Sequence, residues 1–80
     1  MKISVTQEDI AMGRRMDICE CPIALAMRRC GMEDPAVDGW VAYRSAHDSK
    51  GAALPDSARR FVQRFDGLES VSPFEFEVDL

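Results

Sequence analysis

The last seven residues, Phe74-Glu75-Phe76-Glu77-Val78-Asp79-Leu80, alternate apolar and acidic positions without a break. Successive side chains of a strand point to opposite faces, so this period of two predicts a half-buried strand. Phe74, Phe76, Val78 and Leu80 face a core, and Glu75, Glu77 and Asp79 form an outward row at about 6.8 Å per two-residue step. A shorter alternation at Lys2 to Val5, with Ile3 and Val5 on one face, predicts an opening strand. The clearest helical period is Ala58, Phe61, Val62 and Phe65 at i, i+3, i+4 and i+7. That helix starts at Pro55 or Asp56 and is closed by Gly67, with Leu68 packed under its end.

Between these lies an apolar helix bounded by Pro22 and Gly31, in which Ile23, Ala26, Met27 and Cys30 stack on one face and Leu25 widens the stripe. Arg28 and Arg29 sit in its last turn, where the helix dipole favours positive charge. Thr6 followed by Gln7, Glu8 and Asp9 predicts a capped short helix, stopped at Gly13 before Arg14 and Arg15. Met16 to Glu20 shows no period and reads as a turn from which Met16 or Ile18 plugs the core. Glu33-Asp34-Pro35 breaks the helical pattern, and Asp38-Gly39 turns the chain into a strand over Trp40 to Ala46, either face of which suits burial. His47 to Gly51 has hairpin-turn composition and predicts a brief partner strand at Ala52 to Leu54. The sum is an α+β fold, a small antiparallel sheet of three to four strands with two to three helices on one face, in one domain of residues 1 to 80.

Composition sharpens this picture only in places. Residues 1 to 68 hold all ten Lys and Arg and ten of the fourteen acidic residues, so the net charge of −4 belongs to Glu69, Glu75, Glu77 and Asp79. That balance argues against direct nucleic-acid binding, which draws on a surplus of cations to release counterions from phosphate. No apolar run approaches the about 20 residues of a membrane span or the apolar stretch of a secretion signal, so the expected location is the cytoplasm. Three cysteines are an odd number and fit reduced thiols.

Cys19, Cys21, Cys30 and His47 have the atom types of a zinc site. Their spacing argues against one, because a single residue separates the first pair and Pro22 begins a helix at once. His47 is the only histidine and falls in a polar turn, with no base-oriented nucleophile or phosphate loop nearby in the pattern, so no enzyme and no cofactor are expected. Charged surfaces remain: the pairs Arg14-Arg15 and Arg28-Arg29 and the face of Arg59, Arg60 and Arg64 suit an acidic partner, while Glu75, Glu77 and Asp79 suit a basic groove meant for nucleic acid.

Three patterns together resemble a family of very small proteins encoded by phages and prophages: Val5-Thr6-Gln7 with Asp9-Ile10, Cys21-Pro22-Ile23-Ala24-Leu25-Ala26, and Phe65-Asp66-Gly67 followed by Pro73-Phe74-Glu75-Phe76. Small acidic phage proteins of this kind include anti-CRISPR inhibitors of type I surveillance complexes. The resemblance implies an inhibitor that binds a subunit of a host CRISPR-Cas complex without chemistry and blocks recognition of target DNA; it carries over no contact residue, and the partner-binding residues expected, Glu75, Glu77 and Asp79, come from the acidic row of the last strand. Two alternatives stand beside it, a metal-stabilised regulatory module using Cys19, Cys21 and Cys30, and an oligomeric phage accessory protein, such as a homodimer, joined through an open sheet edge.

Overall fold

Thr6 ends the first strand and starts the first helix. In the computed structural model, which describes all 80 residues, β1 (Lys2–Val5) runs into α1 (Gln7–Met12) through a complete capping box. The Thr6 hydroxyl accepts from the Asp9 N–H at 3.2 Å, and the Asp9 carboxylate accepts from the Thr6 N–H at 2.9 Å. Gly13 follows α1 with an extended φ of −69°, not the left-handed turn that a terminal glycine usually supplies. Its role is space: a Cβ there would meet the Pro22 ring at 2.6 Å.

The segment after Gly13 is held by polar bonds, not by an apolar plug. Asp17 Oδ1 accepts from the N–H groups of Cys19 and Glu20, and Asp66 Oδ1 accepts from the N–H of Met16. Met16 takes a left-handed φ of 58° and, with Ile18, turns out to solvent, which corrects the expectation that one of them fills the core.

Helix α2 (Pro22–Arg29) carries proline at its first position and uses the Cys21 sulfur as N-cap, accepting from the Ala24 N–H at 3.4 Å. Ile23, Ala24, Ala26 and Met27 are fully buried, and Leu25 is half-buried at the edge of the stripe. Cys30 does not continue that stripe. The helix ends at Arg29, and Cys30, at the C-cap, is exposed. Gly31 then takes a φ of 105° and its N–H donates to the Arg28 carbonyl, while the Met32 N–H reaches back to Met27, which closes a Schellman motif.

Strands β2 (Ala36–Val37), β3 (Val41–Tyr43) and β4 (Ala52–Ala53) form a three-stranded antiparallel sheet in the order β2-β3-β4. Ala42 marks the buried face of β3. β2 was not foreseen, because two residues are too few to display a period. Helix α3 (Asp56–Asp66) buries Ala58, Phe61 and Phe65, with Val62 half-buried beside them. It too ends in a Schellman motif, with the Glu69 N–H on the Arg64 carbonyl and the Leu68 N–H on that of Phe65. Here the left-handed residue is Leu68, at φ 67°, and not Gly67, so the leucine swings away from the helix end it was expected to cover and is 72% exposed.

β5 (Phe74–Glu77) returns antiparallel to β1, pairing Ile3 with Phe76 and Val5 with Phe74. The class is α+β, and the five strands are shared between two small antiparallel sheets. One cluster of 17 buried residues connects them, drawing Ile3, Val5 and Phe76 from one sheet, Val78 just past its end, and Val37, Ala42 and Ala52 from the other around α2 and α3. No helix is long and apolar enough to cross a membrane.

Candidate functional site

The acidic strand has one committed face and one free edge. Phe76 and Val78 are buried and Phe74 is half-buried, with its ring stacked on Phe61 at 4.7 Å, while Glu75, Glu77 and Asp79 are all exposed. The Met1 amine donates to the Val78 carbonyl and the Val78 N–H donates to the Met1 carbonyl, which makes that pair, and by alternation Ile3–Phe76 and Val5–Phe74, the hydrogen-bonded pairs of the ladder. The peptide groups of Glu75 and Glu77 therefore point to the other side, where β5 has no neighbour. The matching outer edge of β1 is engaged at one point, where the Ser4 carbonyl accepts from Arg29 at 2.8 Å. Of the two edges of this sheet, β5 is the one with no hydrogen bond to its outward peptide groups, and so the more open to another chain.

The three carboxylates are not equivalent. Glu75 lies 2.9 Å from Lys2 Nζ and Glu77 lies 3.6 Å from the Met1 amine, across the ladder, and Asp79 lies beyond the strand with no cation beside it. The hydrogen bond and charge of Glu75 hold the Lys2 pKa above its ordinary value. Both partners of the Lys2–Glu75 pair are more than half exposed, so solvent screens it and a stronger cation displaces Lys2 at little cost.

The cysteines do not converge. Cys21 is buried with its sulfur engaged by Ala24, Cys30 is exposed at the far end of the same eight-residue helix, and Cys19 is half-buried in the preceding loop. Burial pushes the Cys21 thiol up in pKa, which makes it an inert structural group. His47 is 90% exposed, its imidazole 3.8 Å from Asp34. No three His, Cys, Asp or Glu side chains stand close enough to share a metal ion.

Arg29 departs most from its reading as a solvated terminal charge. Its two guanidinium nitrogens grip the two carboxylate oxygens of Asp9 at 2.6 and 2.8 Å, bidentate, and tie α2 to α1 and β1. Asp9 is 4% exposed, and the sequence held no sign of its partner twenty residues away. Arg28 pairs loosely with Glu20 at 3.6 Å, and Arg59 is bonded to Asp56. Arg60 and Arg64 make no ion pair. Arg14 and Arg15 are exposed. No family model, curated protein or solved structure matches this chain.

Proposed function

We propose that the protein is a stoichiometric inhibitor of the anti-CRISPR kind, which binds a protein subunit of a type I CRISPR-Cas surveillance complex and blocks recognition of target DNA. The observation that supports this reading is the β5 edge, where free peptide groups and the exposed carboxylates of Glu75, Glu77 and Asp79 lie together. A basic groove that tracks a nucleic-acid backbone presents cations at regular intervals, and an acidic strand with charges every about 6.8 Å is a fitting competitor for it.

Pairing of two copies along the same edge is disfavoured by the same charges. Antiparallel registers that keep the apolar faces aligned set Glu75 against Glu77, each against its own copy, or Glu75 against Asp79, and like charges directly opposite destabilise a ladder. The edge suits a basic partner better than itself.

The test is plating of a targeted phage on a host with an active type I system. The protein restores plating and co-purifies with the surveillance complex. The variant E75K/E77K/D79K loses binding by about 100-fold, three charge contacts of about 1 kcal/mol each, while its circular dichroism stays native. A folded triple variant that still inhibits overturns the strand mechanism, and a wild-type protein that neither restores plating nor binds the complex overturns the function.

A further inference from the structure

A second surface, independent of the β5 reading, lies along the polar side of α3. Two shallow grooves meet there and share Arg60. One, of about 330 Å³, runs between α3 and the chain over Ser70 to Phe74 and is flanked by Arg60, Arg64 and the hydroxyl-bearing Ser57, Ser70 and Ser72. The other, of about 240 Å³, lies between α3 and Trp40.

Trp40 is the only tryptophan, and it is 64% exposed although its backbone is held on both sides. Asp38 Oδ1 accepts from the N–H groups of Trp40 and Val41 at 2.7 Å each, and the Trp40 carbonyl accepts from the Leu54 N–H at 2.8 Å. The Arg59 guanidinium lies 5.0 Å from the ring centre, and Asp56 in turn bonds Arg59. A large apolar side chain is thus kept in the solvent, with Arg60 in the same groove and Arg64 one turn further along α3 in the other; neither arginine makes an ion pair, although Asp56, which bonds Arg59 in that groove, also feels the Arg60 charge. Being one turn apart, Arg60 and Arg64 carry Cβ atoms about 5–6 Å from each other. Tryptophan and arginine are the residue types that concentrate at the centres of protein interfaces.

We infer that this Trp40–Arg60–Arg64 face docks an acidic segment of a partner protein, with carboxylates on the two arginines and an apolar side chain against the indole. Carboxylate is matched to guanidinium in planar, bidentate form, and a short segment needs only the two free cations the face supplies. A nucleic-acid strand is the poorer occupant, since two cations release few counterions and the chain as a whole carries a charge of −4.

Trp40 emission reads the site directly. Titration of the protein with an end-capped Glu-Glu-Leu-Glu-Glu peptide produces a saturable change in that emission, weakened at least about tenfold by raised salt. The folded R60A/R64A variant binds the peptide at least about tenfold more weakly, and the same peptide with Lys for Glu is silent. Arg60 and Arg64 hold no internal contact by ion pair, so the variant keeps the wild-type melting temperature, checked by circular dichroism. The inference is overturned by no saturable response, by equal affinity in the folded double variant, or by an oligo(dT) strand that binds more tightly than the acidic peptide.

Discussion

Asp9 shows how much a single side chain does in a chain this short. Its carboxylate completes the capping box with Thr6 and receives both nitrogens of Arg29, so one group joins β1, α1 and α2. Burial by itself raises its pKa, but the Arg29 hydrogen bond, the Thr6 bonds and the Arg29 charge together outweigh burial and hold it below the ordinary 3.8. A folded-state pKa lower than the unfolded one adds stability that is present above about pH 4 and is lost as the pH falls through the folded value. Asp9→Asn keeps a carbonyl to accept from Thr6 but not the charge. It should cost about 1–3 kcal/mol at pH 7, a figure kept modest because Arg29 is half exposed, and the gap between the two proteins should narrow as the pH falls below about 4. Urea titrations above and below that pH check this, and an unchanged gap between the two proteins would remove the linkage. The cap half of the motif could be read from Thr6 followed by Asp9. The Arg29 half could not, because a contact across twenty residues leaves no period in the sequence.

The helix ends carry a similar lesson at the level of elements. α2 and α3 close with the same Schellman hydrogen bonds, but the left-handed residue is Gly31 in one and Leu68 in the other. Gly31 could be assigned from its place after Cys30. For α3 a glycine at position 67 drew the expectation one residue too early, and the turn falls on a leucine whose side chain is then turned out to water. A side chain in this conformation costs about 1 kcal/mol relative to glycine. Leu68→Gly, which gives up almost no buried area, should therefore raise stability by up to about 1 kcal/mol, while Gly31→Ala, with a φ of 105°, should lower it by about 1 kcal/mol. Thermal melts of the pair test the sign of each change; a Leu68→Gly variant less stable than the parent would show that the leucine has a contact worth more than its strain. The elements with long periods, α2, α3 and β5, were legible for the reason that burial of one face repeats along them. β2, Met16 and Ile18 were not, because they are placed by hydrogen bonds made at single points.

Those elements are bound into one molecule by the core that links the two sheets. β1 and β5 bring the two ends of the chain together, and Phe76 from that sheet shares its cluster with Val37, Ala42 and Ala52 of the other. Neither sheet has enough strands to stand alone in water, since two- and three-stranded sheets of this size need a packed face to be stable. Both therefore depend on α2 and α3, and loss of packing at one should be felt at the other. Phe76→Leu changes the shape of a side chain that is 5% exposed while keeping it apolar, a change of about 1.5 kcal/mol that is a readable share of the about 4–12 kcal/mol expected for a chain of this length yet leaves it folded. Trp40 emission reports the turn between β2 and β3, in the sheet that does not contain Phe76, whereas far-ultraviolet circular dichroism reports all three helices. In a single cooperative transition the two signals give one midpoint in the parent, and in Phe76→Leu both midpoints move together by the same amount. A Trp40 midpoint that stays in place while the helical signal shifts would divide the molecule into two units and leave the β1–β5 edge free to open without disturbing the Trp40 face.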